Sequence, residues 1–318
     1  MVQVRDFLPS VLLPTFAWPH RRVGSKITDH APPLHKPTSR WLRLLVGLIH
    51  KQLSKFSIHY YCPWLGIPAI NQLMQLPYGL ALKSSDGTLV EEVLATLMAR
   101  DAGLPVQKII PYGEHPDQPH ALISILMTRL PGDDLGQVYD KLSQVEREKV
   151  LEDVKCVFTA IRNWPSPWGE TRICSPSGAG IRSIRVPHHR IPPCENKGEL
   201  VDFLLSTASD YDFYCAEDFD KAMTAVNSLR SISHKVVFSH GDLKPHNIMV
   251  HQGRVSGIID FESAGWYPEF WDFTTARRFC RKELWWYDFV AKLGGSAYER
   301  EQEIENALIK LTIDSFVW

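Results

Sequence analysis

The six cysteines of the 318-residue chain (Cys62, Cys156, Cys174, Cys194, Cys215 and Cys280) are scattered, and no C-x-x-C pair occurs among them. Such spacing argues against a zinc site and against a disulfide framework, and points to reduced thiols in a cytoplasmic protein. Long apolar runs are missing too. Residues 8–18 are apolar but short, broken by Pro9 and Pro14 and preceded by Arg5 and Asp6, which makes a poor signal peptide. No stretch is long enough to span a bilayer. Nor does charge of one sign dominate: the formal net charge of -1 gives none of the basic field expected of a nucleic-acid binder. No internal repeat is visible. The remainder is a globular composition, 44% hydrophobic, in a chain long enough for one two-lobed domain or two ordinary ones.

Residues 1–38 are rich in Pro, His and basic side chains without sustained periodicity and read as an irregular extension that packs on the surface or frays. A helix follows over 40–55, with Trp41, Leu44, Leu45, Leu48 and Ile49 on one face and Arg43, His50, Lys51 and Lys55 elsewhere. A basic amphipathic helix could lie on a membrane; the plainer expectation is a helix packed on its own domain. Strands are predicted at 70–76, 79–83, 108–112 and 121–128, with a helix over 88–102 that ends near Gly103. Leu130-Pro131-Gly132 breaks the pattern and marks the expected boundary between an N-terminal lobe (39–130) and a C-terminal lobe (131–318). Beyond it, helices are predicted over 144–163, 199–207, 219–232 and 298–313, a long loop over 165–193, and a strand-rich insertion at 236–259. Strands with one helix, then helices with one insertion, imply an α+β arrangement rather than alternating βαβ units.

Chemistry concentrates in His240-Gly241-Asp242-Leu243-Lys244-Pro245-His246-Asn247. His-x-Asp with an Asn five residues after the Asp has the spacing of the kinase catalytic loop. A hydroxyl nucleophile must be oriented and must lose its proton as a phosphoryl group arrives, which calls for a carboxylate: Asp242. The phosphate charge calls for Mg²⁺, and the neutral amide of Asn247 can ligate that ion without adding charge. Residues 248–250 and 255–259 read as a β-hairpin, which brings Asn247 back towards Asp260, the expected main metal ligand. Asp after Gly is common in ordinary turns; the ordered set of apolar run, His-x-Asp, Asn, hairpin and Asp is not.

These residues, together with Ile258-Ile259-Asp260-Phe261-Glu262 and Ala264-Gly265-Trp266-Tyr267-Pro268-Glu269-Phe270-Trp271, resemble the aminoglycoside phosphotransferase and choline kinase-like superfamily, in particular its fungal members of unassigned substrate. The likeness extends more weakly over about 70–290. It implies a protein-kinase-like bilobal fold, a small β-rich N-lobe and a larger, mostly helical C-lobe, and the use of ATP and Mg²⁺. Under that resemblance Lys83 suits the lysine that pairs with nucleotide phosphates, Glu92 is its expected partner with Glu91 as competitor, and backbone near Met127 to Leu130 is expected to recognise adenine. Lys244 joins Asp242 as a catalytic candidate. No G-x-G-x-x-G precedes Lys83, so the cover over ATP must be built differently.

After Asp260 there is neither a long activation segment nor an Ala-Pro-Glu motif, which favours a small hydroxylated acceptor over a protein. Glu262, Tyr267, Glu269 and Asp272 are candidates for lining its site. The segment 209–220 mixes acidic and aromatic residues and would suit a cationic acceptor, or is simply a solvated helix start. A catalytically weak nucleotide-binding scaffold and a protein kinase are the competing functions.

Overall fold

A computed structural model describes residues 8–24 and 27–312; the signal-peptide flank Arg5-Asp6 and the expected helix end at Ile313 lie outside the described residues. The chain divides into two compact units. The first comprises the N-terminal residues up to Ile27, Pro32–Val150 and Ile248–Glu262, and the second comprises Thr28–Ala31, Leu151–Asn247 and the chain from Ser263 onward. The first unit therefore runs past Leu130-Pro131-Gly132 to Val150 and recovers the hairpin from later in the chain.

In the first unit, helix α1 (Arg40–Phe56) is followed by β1 (Leu73–Leu76), β2 (Leu80–Lys83), helix α2 (Val90–Asp101), β3 (Ile109–Glu114) and β4 (Ile123–Thr128). The four strands form an antiparallel sheet in the order β1-β2-β4-β3. Alternation along the strands separates two faces. Met74, Leu76, Leu82 and Leu126 pack with Leu53 and Ile58 on the α1 side, while Tyr112, Ile123 and Ile125 pack with Val93 on the α2 side. Lys83 is paired with Ile125 and so belongs to the α2 face. Strands β1 and β2 are joined by a tight turn in which Tyr78 and Gly79 both take positive φ. Helix α2 ends where Gly103 adopts φ 89°, as its sequence suggests.

α1 sits on the sheet with the face that sequence patterning assigns to solvent. Gly47 and Gly113 approach so closely that a Cβ on Gly113 would lie 2.5 Å from the Gly47 nitrogen. Beside them Arg43 pairs with Glu114 at 2.9 Å, and the buried His50 meets Ser124 through Nδ1 at 2.6 Å. The expectation that α1 packs on its own domain holds; at the closest approach small and polar residues make the contact, because only they fit where backbone meets backbone, and Leu53 adds an apolar contact farther along. The described part of the N-terminal extension packs on this unit, with the Tyr78 N–H donating to Val11 O at 2.7 Å and the Tyr61 hydroxyl to Leu12 O at 2.8 Å. The hairpin of Ile248–His251 and Arg254–Ile258 carries β5 (Asp133–Asp134) on its outer edge, in a separate three-stranded sheet.

The second unit is mostly helical. Its core gathers Leu200, Val201 and Leu204 from helix Lys197–Leu205, Val226 from Ala216–Asn227, and Ile304, Leu308 and Leu311 from Glu299–Thr312, around Tyr267, Phe270 and Trp271. The first of these helices begins two residues earlier than patterning suggests, because the Asn196 side chain accepts the Glu199 N–H and caps it. The Pro-rich stretch 165–193, expected as a long loop, is mostly irregular, yet it contributes Ile173, Ile181, Val186 and Ile191 to the core and a two-stranded ladder of Ile181–Arg182 with Arg190–Ile191. Strand Val236–Ser239 pairs antiparallel with Gly265–Pro268, so the Trp266-Tyr267 motif is a buried strand. Among the described residues, no helix is long and apolar enough to cross a membrane.

Candidate active site

The first unit gathers four charged side chains. Strand β2 ends on Lys83, whose Nζ lies 3.0 and 3.1 Å from the Glu92 carboxylate oxygens, 2.7 Å from Asp260 Oδ1 and 3.3 Å from Glu262 Oε2. The carboxylate that meets Lys83 from α2 is that of Glu92, buried at 1% exposure in the helix's first turn. Asp260 holds a left-handed backbone, φ 65°, just beyond the hairpin. Asp tolerates that region better than most residues, and its occurrence here turns the carboxylate out of the strand direction. The hairpin ladder pairs Ile248 with Ile258, so it closes one residue after Asn247 and two before Asp260.

Three carboxylates face one ammonium, and the charges respond. Burial works to lower the Lys83 pKa, but Glu92, Asp260 and Glu262 outweigh it and hold the ammonium well above its ordinary value. Burial pushes Glu92 up to about 7, against the pull of Lys83 and with the help of Asp260's negative charge. One ligand atom each from Glu92, Asp260 and Glu262 lies within 4.8 Å of the others. This surplus of negative charge suits a divalent cation.

In the second unit the His240–Asn247 loop is held through its backbone. Asp272, fully buried, accepts the His240 N–H at 3.2 Å and the Gly241 N–H at 2.8 Å. Burial raises its pKa, and the neighbouring His240 and those two donors counter the rise. Gly241 takes φ 82°, and a Cβ there would run into the Ser263 carbonyl, so no other residue fits. The Asp242 N–H donates to His240 Nδ1 at 3.4 Å. A 3₁₀ turn over Pro245–Asn247 then brings Asn247 Nδ2 to 2.8 Å from the Asp242 carbonyl and 3.5 Å from its Oδ2. Asp242 Oδ1 is buried with no hydrogen-bond partner among the described residues. The Lys244 ammonium donates to Thr275 O at 3.0 Å, and burial lowers its pKa.

The remaining predicted residues fall elsewhere. Met127 packs in the α2-side cluster, and the Leu130 methyls lie against Gly257. Of the four proposed acceptor contacts, only Glu262 joins a charged cluster. Tyr267 is a correction: its ring is fully buried, stacked on Trp271 at 4.7 Å, with its hydroxyl donating to Ser263 O at 2.9 Å. Asp272 is spent on the loop backbone. Glu269 anchors strand Val236–Ser239 instead, since its Oε1 accepts the Lys235 N–H at 3.2 Å and its own N–H reaches Lys235 O at 2.9 Å. In 209–220 the aromatic residues Tyr211 and Tyr214 are exposed, and Glu217 and Asp218 occupy a helix's first turn beside Lys221, as in a solvated helix start.

Sequence reasoning missed a buried network. Arg185 lies over the Trp271 ring at 3.7 Å, bonds Thr275 Oγ1 at 3.0 Å and pairs with Glu305, which also meets Arg278 at 3.3 Å. No spacing links positions 185, 278 and 305; only the fold brings them together. Lys244 feels this network, since Arg278 and Arg185 both help to lower its pKa.

Residues 85–304 match the phosphotransferase enzyme family (APH). The chain belongs to that family. Among solved structures it is similar to the GDP complex of a mutant aminoglycoside 2′-phosphotransferase-IIIa, at 15% identity and TM-score 0.53 over 86% of each chain. The wild-type form of that protein, also a GDP complex, matches at 13% identity and TM-score 0.51 over 83% of this chain and 86% of the other. A thermostable mutant of aminoglycoside phosphotransferase APH(4)-Ia, in ternary complex with AMP-PNP and hygromycin B, matches at 15% identity and TM-score 0.50, over 81% of this chain and 92% of the other. These likenesses establish the protein-kinase-like fold, with its small antiparallel sheet and its helical C-terminal region. No curated protein matches the chain.

Proposed function

We propose that the chain is a cytoplasmic phosphotransferase that moves the γ-phosphoryl group of ATP to a hydroxyl of a small molecule, with Asp242 as the group that orients that hydroxyl and takes its proton. The observation that carries this reading is the Asp242 carboxylate. It stands on a loop fixed by Asp272, with one oxygen near the Asn247 amide and the other unengaged, as a base awaiting a hydroxyl requires. Lys83 has the charge to hold nucleotide phosphates, and Glu92 positions it. Asp260 and Asn247 are the proposed magnesium ligands; the carboxylate surplus around Lys83 supports the assignment of Asp260. Magnesium, when bound, supplies neutralisation of phosphate charge. Lys244 is the proposed catalytic partner of Asp242, whose negative charge acts on its buried ammonium. Backbone near Met127 and Leu130 is the proposed adenine contact.

Support for a nucleotide comes from the neighbours crystallised with GDP and AMP-PNP, and for a small acceptor from the one crystallised with hygromycin B. The compact passage from Asp260 through the strand Gly265–Pro268 into helix Trp271–Arg277 leaves no activation segment for a peptide, which favours a small acceptor. Incubating the purified protein with ATP, Mg²⁺ and a metabolite extract tests the reading. Small hydroxylated compounds should gain the mass of one phosphate, about 80 Da; label appearing only in proteins, or nowhere, would contradict it.

A further inference from the structure

Because α1 packs on the sheet through Arg43, Gly47 and His50, its apolar stripe faces outward. Trp41, Leu45, Leu48 and Ile49 are 69%, 50%, 61% and 53% exposed, and Phe56 and the following Tyr60 continue the row. At 100° per residue the helical members of this row fall within an arc of about 100°, extending about 22 Å along the axis. A stripe of this size on a water-soluble surface marks a contact surface rather than scattered exposed residues. α1 cannot roll to bury it, since the Gly47–Gly113 approach and the Arg43–Glu114 and His50–Ser124 bonds fix which face meets the sheet. α1 also precedes residues 85–304, so it lies outside the stretch that carries the family match.

We infer that this face of α1 docks on an anionic lipid surface, with the helix lying in the plane of the interface. Two further observations select that occupant. First, no Asp or Glu occurs between Asp29 and Asp86, against six Lys and Arg. Arg40 and Arg43 share the single carboxylate of Glu114 and Lys51 pairs with Asp117, whereas Lys36 and Lys55 are exposed, and Lys55 flanks the stripe. Self-association through the stripe would bring the flanking Lys55 of two copies together, while the nearby carboxylates of Glu114 and Asp117 are already engaged by Arg40, Arg43 and Lys51; anionic headgroups would meet those charges. Second, aromatic residues stand at both ends of the stripe, Trp41 at one and Tyr60 and the half-exposed Trp64 at the other, where amphipathic rings favour the headgroup region. Low overall hydrophobicity with an apolar face and cationic flanks is the composition of an interfacial helix rather than a spanning one. The inference is independent of the phosphotransfer reading.

Flotation of the full-length protein with vesicles tests it, comparing phosphatidylcholine alone with phosphatidylcholine containing phosphatidylserine. The wild type should float with the phosphatidylserine vesicles at low ionic strength and be released by salt. The double variant Leu45→Glu, Leu48→Glu should lose at least about tenfold in binding with an unchanged melting temperature, and Lys55→Glu should lose less. Should the double variant misfold, Trp41→Ala and the salt titration of the wild type give the same reading. No flotation with either vesicle, equal flotation with both, or binding indifferent to these substitutions would overturn the inference. So would a wild-type dimer that the double variant dissolves without any vesicle binding, which would make the stripe a self-association face.

Discussion

The two units hold their functional residues by different means. In the first, side chains hold one another: a single ammonium on Lys83 meets Glu92, Asp260 and Glu262, and the cluster keeps more negative charge than it neutralises. In the second, a buried carboxylate holds backbone: Asp272 fixes the N–H groups of His240 and Gly241, and Asp242 inherits its position from them. A charge-held site responds to pH and to cations, whereas a backbone-held site stands or falls with the local fold. The first arrangement suits groups that must trade partners when a charged substrate arrives, and the second suits a base that must stay in place.

The largest effect is expected where the backbone anchor is removed. Asp272→Ala would leave two buried N–H groups without an acceptor and should cost about 2–5 kcal/mol of stability, read as a drop in melting temperature with loss of activity. Asp272→Asn keeps an acceptor and should cost less. An Ala variant as stable as wild type would show that the loop does not depend on this residue.

Most of the charge-held cluster was legible in the sequence, and little of the anchor was. Lys83 ends a strand, Asp260 follows the hairpin and Glu92 sits in the first turn of a helix, positions that the family resemblance carries over onto this chain. Asp272 carried the right residue type but the wrong role, because a carboxylate near a catalytic loop reads equally as a substrate contact or as a backbone acceptor. Tyr267 and Glu269 misled for a related reason: whether a strand is buried on both faces depends on what packs against it, here Trp271 and the strand Val236–Ser239. The apolar stripe on α1 was visible as periodicity, but its direction was decided by Gly47 and Gly113, where backbone contact outranks hydrophobic patterning.

A medium effect is expected from pH. The Glu92 carboxyl is raised by burial from an ordinary value near 4.5 to about 7, so the folded state binds its proton more tightly than the unfolded state. Its contribution to stability is present below about pH 4.5 and is lost as the pH rises through about 7. Melting temperature measured between pH 5 and 8 should show this downward component, and Glu92→Gln should flatten it while lowering stability by breaking the Lys83 pair. An unchanged slope in that variant would place the titration elsewhere.

The smallest effect is expected at Tyr267. Tyr267→Phe removes one buried hydrogen bond to Ser263 O and should cost about 1 kcal/mol, with no change in KM for the acceptor. A large rise in acceptor KM at unchanged stability would restore Tyr267 to the acceptor site.

The central claim is that Asp242 acts as the base, and Asp242→Asn tests it most directly because it keeps the shape and removes only the charge. With Mg²⁺ and ATP, and with an acceptor taken from the metabolite screen, kcat should fall about a thousandfold at an unchanged melting temperature. Turnover within a few-fold of wild type would contradict the account.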